Sequence, residues 1–144
     1  MRHGFLFAGA LALALLASWL LVLRGSSHSR IEVGDLWVAE TSASRAMIHG
    51  TIANRGASGD RLLRISSGAA SGVAILDQFG REIEALKVPA DSELVLGGEM
   101  LRIQATGLRR PISAHGTVPL VLVFERAGEL AVDARIEPAL PGTQ

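Results

Sequence analysis

Two soft metal ligands, Met47 and His49, stand two residues apart in this sequence. Side chains two residues apart on a β-strand point to the same face, so the thioether and the imidazole would lie next to each other. Monovalent copper is bound by ligands of these types, and Met100 could supply a third. The structural alternative is that Met47 packs in a core and His49 is a half-buried polar aromatic residue.

The other reactive residue types point to no catalytic site. The chain has no cysteine, which excludes thiolate zinc sites, thiol nucleophiles, iron–sulfur clusters and disulfides. Its serines lie in no Gly-x-Ser-x-Gly motif, and no His-Glu-x-x-His motif occurs. Glu82 and Glu84 would share one solvated strand face. The sequence therefore predicts that the protein is not an enzyme.

The remaining histidines, one tryptophan and several glycines have structural interpretations. We expect His28 to be solvated in a tether and His115 to be solvated in a turn, while His3 flanks an apolar segment. Trp37 would lie in the core or at its rim, or would anchor a partner. No helix-forming sequence follows the glycines, as a phosphate loop would require, so they are predicted to form turns. These glycines are Gly68, Gly72, Gly97 and Gly98.

The charge balance excludes a polyanion-binding surface. The chain has 14 basic and 14 acidic side chains. Two of the basic residues, Arg2 and Arg24, flank the apolar N-terminal run, which leaves 12 basic against 14 acidic residues in the rest of the chain. Nucleic-acid binding is therefore not expected.

The apolar run extends from Gly4 to Leu23 without a charge. At about 1.5 Å per residue, a helix of this length spans about 30 Å, the hydrocarbon thickness of a bilayer. The run is longer than the apolar part of most cleaved signals, and no Ala-x-Ala motif ends it. We therefore predict an uncleaved signal anchor, one transmembrane helix over residues 1–24, with a cleaved signal peptide as the alternative. In either case the following domain is exported, behind a flexible tether over residues 25–30.

The exported part has the pattern of an all-β domain. Short apolar runs are separated by Gly, Asp, Asn, Ser or Pro, and no stretch keeps a 3.6-residue period over three turns. The clearest element is a hairpin with alternating apolar residues on both sides of a turn at 126–128. The predicted strands are 31–38, 46–54, 61–66, 73–77, 82–88, 93–96, 100–106, 117–125 and 129–137.

Several phrases of this domain occur in an order that is similar to a known family. They are Asp-Leu-Trp-Val at 35–38, the segment 46–56 that ends in Asn-Arg-Gly, Asp-Arg-Leu at 60–62, Ser-Ser-Gly-Ala-Ala at 66–70, the block from Val-Pro-Ala at 88–90 to Gly-Leu-Arg-Arg-Pro-Ile at 107–112, and 116–128. Together they resemble the PCu(A)C family of bacterial periplasmic copper chaperones. The resemblance implies a cupredoxin-like β-sandwich over residues 31–137. The residues that follow, 138–144, are predicted to form a frayed tail. The resemblance also places His49 where the family has a tyrosine.

The resemblance implies a copper site whose ligands are missing from this sequence. The family binds Cu(I) with a histidine after one strand, a methionine in the next loop and a His-x-Met pair on a later strand. The His-x-Met pair falls on Arg102 and Gln104, with Thr106 where a further methionine often stands. The first histidine falls on Leu76 or Asp77, and the loop that follows contains no methionine.

An arginine at a ligand position is incompatible with this copper site. The guanidinium has only hydrogen-bond donors, keeps its positive charge and repels a cation. We expect Arg102 to pair instead with Asp77, Glu82 or Glu99. No metal is therefore expected at the family positions, and copper would need a relocated site at Met47 and His49.

Two functions remain open at this stage. The resemblance implies a copper-chaperone-like protein that delivers Cu(I) to the Cu(A) site of cytochrome oxidase. It would be held in the bacterial inner membrane by a single helix, with its domain in the periplasm. The alternative is a metal-free β-sandwich interaction module that docks on an envelope or oxidase-assembly partner. In both cases the expected partners are the membrane and a protein.

Overall fold

The computed structural model describes residues 28–42, 44–109 and 116–137. Several sequence predictions fall outside these residues: the transmembrane segment 1–24, half of the tether 25–30, the tail 138–144, His3 and His115. Within the described ranges, no helix is long and apolar enough to cross a bilayer.

Over these residues the chain forms nine β-strands and no helix, which confirms the predicted all-β fold class. Each predicted strand is present, with changes at its ends. The strands are β1 (Ile31–Ser42), β2 (Arg45–Asn54), β3 (Asp60–Ser66), β4 (Ala70–Asp77), β5 (Leu86–Val88), β6 (Ser92–Leu96), β7 (Leu101–Leu108), β8 (Thr117–Phe124) and β9 (Gly128–Ile136).

The strands belong to one sheet that curls around a single core as a barrel-like sandwich. The strand order is β4-β7-β2-β1-β9-β8-β3-β5, and β6 also pairs with β2. Neighbouring strands are antiparallel except β1 and β9, which run parallel at Trp37 and Val38. This parallel pair joins the half of the sheet that contains β4, β7 and β2 to the half that contains β8, β3 and β5.

Alternation of apolar and polar side chains explains how the sheet encloses its core. In the predicted β8–β9 hairpin, the inward residues of β8 are each at most 4% exposed: Val118, Leu120, Leu122 and Phe124. In β2, Ala46 and Ile48 are buried in the same core. Burial of one Leu or Ile side chain contributes about 1.5–3 kcal/mol. Because side chains alternate along a strand, Met47 and His49 are left on the outer face of β2.

The predicted strand 82–88 is wrong in its first half. Only Leu86–Val88 pairs with β3, whereas Glu82 makes an isolated bridge to Leu76. Glu82 and Glu84 therefore do not share a strand face, although both are exposed as expected.

A tight turn at the end of β4 explains this difference. Asp77 Oδ1 accepts hydrogen bonds from the N–H groups of Phe79 and Arg81, each at 2.9 Å. The N–H of Asp77 in turn donates to the carbonyl oxygen of Arg81 at 2.9 Å. Gly80 supplies the positive φ, +78°, that the turn requires. The turn folds the chain back against β4 before a longer strand can form.

Asn54 fixes the loop that follows β2. Its side chain is fully buried. Its Oδ1 accepts hydrogen bonds from the N–H groups of Arg30 (3.1 Å) and Gly56 (2.9 Å). Its Nδ2 donates to the carbonyl oxygens of Ser58 (2.8 Å) and Val88 (3.3 Å). The two lone pairs and two N–H groups of this amide are thus all used, as burial requires.

Asp60 fixes the turn of the β8–β9 hairpin in a similar way. Its carboxylate is 5% exposed and accepts hydrogen bonds from the N–H groups of Arg61 (2.8 Å), Arg126 (2.9 Å) and Ala127 (2.9 Å), and from the Ser29 hydroxyl. Burial alone would raise the pKa of this carboxyl, but the four hydrogen bonds favour the charged form and hold the pKa below its usual value. We call these contacts, with those of Asn54, the Asn54–Asp60 network.

Candidate functional site

A bulge separates β6 from β7 along the same edge of β2. The residues on either side of His49 pair with different strands: Ile48 with Ile103 of β7, and Gly50 with Leu96 of β6. His49 therefore lies opposite six residues, Gly97 to Arg102, which we call the 97–102 bulge. The N–H of Gly97 donates to the carbonyl oxygen of Leu101 at 2.8 Å and closes the bulge. An insertion of this kind interrupts the ladder and re-aims the neighbouring side chains.

The imidazole of His49 is held between Trp37 and the bulge. Trp37 is its cross-strand partner in β1, and the two rings stack with centroids 3.9 Å apart and planes inclined by 7°. Gly97 approaches the imidazole so closely that a Cβ there would stand 2.1 Å from Nδ1. Gly97 also has a φ of +85°. Only glycine fits this position without displacing the ring.

The environment of His49 favours the neutral imidazole. Burial lowers the pKa of His49, and a hydrogen bond with the Gly97 backbone offsets only part of that effect. A neutral imidazole keeps a nitrogen lone pair that the protonated ring lacks. Such a nitrogen can accept a hydrogen bond or bind a soft metal ion.

Met47 lies on the same outer face as His49, as their spacing predicted. It is partly exposed, whereas its neighbours Ala46 and Ile48 are buried in the core. Its direct partner across the β2–β7 ladder is Gln104. The alternative interpretation of Met47 as a core residue is therefore wrong, and the sulfur side chain belongs to the outer surface of the sheet.

The positions that the resemblance assigns to copper ligands lie on this same outer face. Leu76 in β4 is paired with Arg102 in β7, and Gln104 follows on the same face two residues later. Asp77 is paired with Leu101 and belongs to the alternate face. Leu76, not Asp77, is therefore the residue that shares a face with Arg102.

Arg102 places a permanent cation on this face. Its Nη2 donates to the carbonyl oxygen of Gln78 at 3.2 Å. Its Nε is sealed from solvent and has no hydrogen-bond partner among the residues that the structure describes. A buried donor left without an acceptor costs about 1–3 kcal/mol. The guanidinium offers no lone pair to a metal, so the residues at the family positions do not fit a copper site.

The predicted ion-pair partners of Arg102 are wrong. Asp77 is bound instead to Arg81, with 2.8 Å between Nη2 and Oδ2, because the turn after β4 brings these two side chains together. Within the described ranges, neither Glu82 nor Glu99 makes an ion pair with Arg102. Among the described residues, the cation therefore has a backbone carbonyl as its acceptor and no carboxylate.

Two clefts flank the 97–102 bulge. The larger has a volume of about 670 Å³ and is lined by Gln78, Gly97, Gly98, Glu99, Met100 and Arg102. The smaller has a volume of about 350 Å³ and contains the Trp37–His49 stack. Met100 lines the larger cleft and His49 the smaller one, so the predicted third ligand and His49 belong to different clefts. The described part of the chain contains no group of three or more His, Cys, Asp or Glu side chains that could hold a metal ion.

Comparison with solved structures defines the class of fold. A copper-bound PCuAC domain from PmoF2 matches with a TM-score of 0.68 and 20% identity, over 78% of this chain and 99% of that chain. The apo PCuAC domain from PmoF1 gives a TM-score of 0.69 and 19% identity, over 78% and 100% of the two chains. The solution structure of CuI-DR1885 from Deinococcus radiodurans gives 0.60 and 19%, over 76% of each chain. The domain therefore has the PCuAC fold, as the sequence resemblance implied.

The family follows from the sequence itself. Residues 31–136 match the family described as "Putative lipoprotein LpqE-like", and the chain belongs to this LpqE-like family. No curated protein matches the chain.

Sequence reasoning found the Met47–His49 pair and the Arg102 substitution, but it missed the bulge that lies between them. It also missed the stacking of Trp37 on His49. The signal for the bulge was present, because adjacent glycines at 97 and 98 interrupt two runs that lie along one edge of β2. Their interpretation as a simple turn gave the correct break in the strand but not its position opposite His49.

Proposed function

We propose that this chain is a copper-chaperone-like protein of the bacterial cell envelope that acts as a metal-free docking module. Its domain would lie in the periplasm, and residues 1–24 would anchor it in the inner membrane. The observation that carries the proposal is Arg102, which stands at a family ligand position opposite Leu76 and donates to the Gln78 carbonyl. The proposed partner is a protein of the envelope or of cytochrome oxidase assembly, and we propose no catalysis.

The chemistry of the outer face supports this proposal. Cu(I) binds polarizable sulfur or neutral imidazole. The three family positions instead carry an isobutyl group at Leu76, a guanidinium at Arg102 and a carboxamide at Gln104. Each is fixed by a strand pairing, and the surrounding core is intact. A domain that keeps its fold and replaces its metal ligands retains a surface that can still bind a protein.

A Cu(I) titration of the full chain against a competing chelator tests the metal-free state. We expect the native chain to bind no Cu(I) above the chelator-limited background. The triple variant Leu76→His, Arg102→His and Gln104→Met restores the family's ligand types on one face. It is expected to bind Cu(I) above the chelator-limited background, with an affinity on the order of tenfold beyond that detection limit.

The matched control places the same His-x-Met pair on another strand. Arg64 and Ser66 are exposed on β3 and share one face. The double variant Arg64→His and Ser66→Met is expected to gain no Cu(I) binding, because the third ligand position is absent there. Tight stoichiometric binding by the native chain would overturn the metal-free proposal.

A second candidate function is copper carriage from a relocated site. The specific observation is that Met47 and His49 share the outer face with the family positions, and that His49 favours its neutral form. Such a site would serve delivery of Cu(I) to the Cu(A) centre of cytochrome oxidase. Native binding that is lost in His49→Ala and kept in Arg102→Gln would establish this function in place of the first.

A further inference from the structure

The larger cleft is lined by a cationic side chain and by an exposed apolar side chain. Arg102 lines the cleft, together with Met100 of the 97–102 bulge. Met100 is 67% exposed. Phe79, next in sequence to the lining residue Gln78, is also exposed, but it does not line the cleft and its ring lies 5.0 Å from the Arg81 guanidinium. Large apolar side chains that stay in water beside a cleft are typical of protein interaction sites.

Arg102 is half-buried and makes no ion pair with a described residue, whereas other arginines without an ion pair, such as Arg64, are exposed. Arg55 lies 3.2 Å from a carboxylate oxygen of Glu93, and Arg81 lies 2.8 Å from one of Asp77. Over the residues described, Arg102 has no carboxylate within ion-pair distance. A guanidinium has five N–H donors whose geometry matches a carboxylate. An acidic group of a partner would therefore complement Arg102.

We propose that this cleft binds a protein partner through a carboxylate that pairs with Arg102, next to an apolar side chain that packs on Met100. The inference rests on the proposed docking function and specifies the chemistry of the partner. A charge-assisted pair strengthens when neighbouring apolar contacts exclude water from it. Met100 therefore supplies apolar contact area beside the ion pair.

Glu99 gives the cleft a second, opposing charge. It also lines the cleft and is exposed. Its carboxylate repels an incoming acidic group, while Arg102 attracts it. The loss of these two charges is therefore expected to change the affinity of one cleft in opposite directions, which a merely structural role of either residue would not produce.

The test is a ¹H–¹⁵N NMR titration of the full chain in detergent with acetylated and amidated peptides. The probes are Ser-Asp-Leu-Ser, Ser-Asn-Leu-Ser and Ser-Asp-Ser-Ser, of which the first alone carries both the carboxylate and the apolar side chain. We expect the amide signals of Gln78 and of the 97–102 bulge to shift. The Asp-Leu peptide is expected to bind about fivefold or more tightly than either other peptide.

Three variants test which charges of the cleft determine peptide affinity. Arg102→Gln keeps N–H donors without the charge and is expected to abolish the difference between the Asp and Asn peptides. Glu99→Gln is expected to tighten binding of the Asp-Leu peptide about twofold. Arg64→Gln, which removes an exposed charge from β3, is the matched control and is expected to change nothing.

Equal binding of the Asp and Asn peptides, or shifts confined to another part of the domain, would overturn the inference. Displacement of the peptide by an equal concentration of inorganic phosphate would also overturn it, because the cleft would then be a general anion site. These outcomes do not depend on copper, so the Cu(I) titration decides the proposed function separately.

Discussion

Two polar regions of this sandwich differ in how completely their hydrogen-bonding groups are paired. In the Asn54–Asp60 network, two buried side chains accept or donate eight hydrogen bonds in total, and their acceptor and donor groups are occupied. On the outer face at the 97–102 bulge, Arg102 keeps an Nε–H without an acceptor in the described structure. Met100, in the same bulge, stays exposed.

The difference separates the residues that hold the fold from those available for binding. A buried polar group persists at low free-energy cost only when its hydrogen bonds are made. The Asn54–Asp60 network meets that condition and connects the loop after β2 to the β8–β9 turn. The bulge region does not meet it, and such local exceptions are expected at functional sites. Variants in the first region should therefore affect stability, and variants in the second should affect binding.

The largest expected effect is that of Asp60→Asn. The substitution keeps the shape of the side chain but replaces one acceptor oxygen by an NH₂ group that faces backbone N–H donors. We expect a loss of about 2–4 kcal/mol in the free energy of unfolding, measured by urea unfolding of the full chain in a mild detergent. Asp133→Asn, at an exposed position of β9, is the control and should change stability by less than about 0.5 kcal/mol. Equal effects of the two variants would contradict the role of the network.

The hydrogen bonds of the Asp60 carboxylate also determine how the free energy of unfolding should change at acid pH. The pKa of Asp60 in the native state lies below its usual value of 3.8. Its contribution is therefore complete above pH 3.8 and is lost as the pH falls through the lower native pKa. The native chain should lose stability over this acid range more steeply than Asp60→Asn does, and parallel acid-unfolding curves would argue against this assignment.

A smaller effect is expected from Gly97→Ala. The new Cβ would lie 2.1 Å from His49 Nδ1, and φ at this residue is +85°, so the ring or the bulge must move. We expect a loss of about 1–3 kcal/mol in stability. A change in Trp37 fluorescence should accompany it, measured in a Trp19→Phe background.

Gly98→Ala is the matched control for that substitution. A Cβ at Gly98 meets no atom within 4 Å, and Gly98 is not among the glycines with positive φ. This variant should leave both stability and Trp37 fluorescence close to native. A fluorescence change of equal size in both variants would show that the bulge does not fix the Trp37–His49 stack through Gly97.

The fold could be predicted because its signals are local. The alternation of Val118, Leu120, Leu122 and Phe124 specifies a strand and its buried face without reference to any other part of the chain. The same reasoning did not predict the turn after β4. Its cause is a pair of hydrogen bonds to the Asp77 side chain, and an apolar pattern does not record side chain to backbone bonding.

The candidate site could be predicted only in part, for the same reason. The shared face of Met47 and His49 follows from their spacing on one strand. The position of Gly97 against His49 depends on where β2 changes its partner from β7 to β6, which is a register between strands distant in sequence. The backbone acceptor of Arg102 depends on the folded-back turn at Gln78. Such contacts arise from tertiary pairing, and a single sequence does not specify them.

The smallest expected effect concerns the protonation of His49. Burial lowers the pKa of its imidazole below the usual value of 6.5, so the unfolded chain binds a proton more readily than the native chain does. The stability that depends on the neutral ring is therefore present above pH 6.5 and is lost as the pH falls through the lower native pKa. Urea unfolding in metal-free buffer at about pH 7.5 and 5.5 should show a decrease for the native chain and a smaller decrease for His49→Gln. Identical decreases would mean that the Trp37–His49 stack tolerates the protonated imidazole. A change of charge on the outer face would then affect stability far less than a change of charge in the Asn54–Asp60 network.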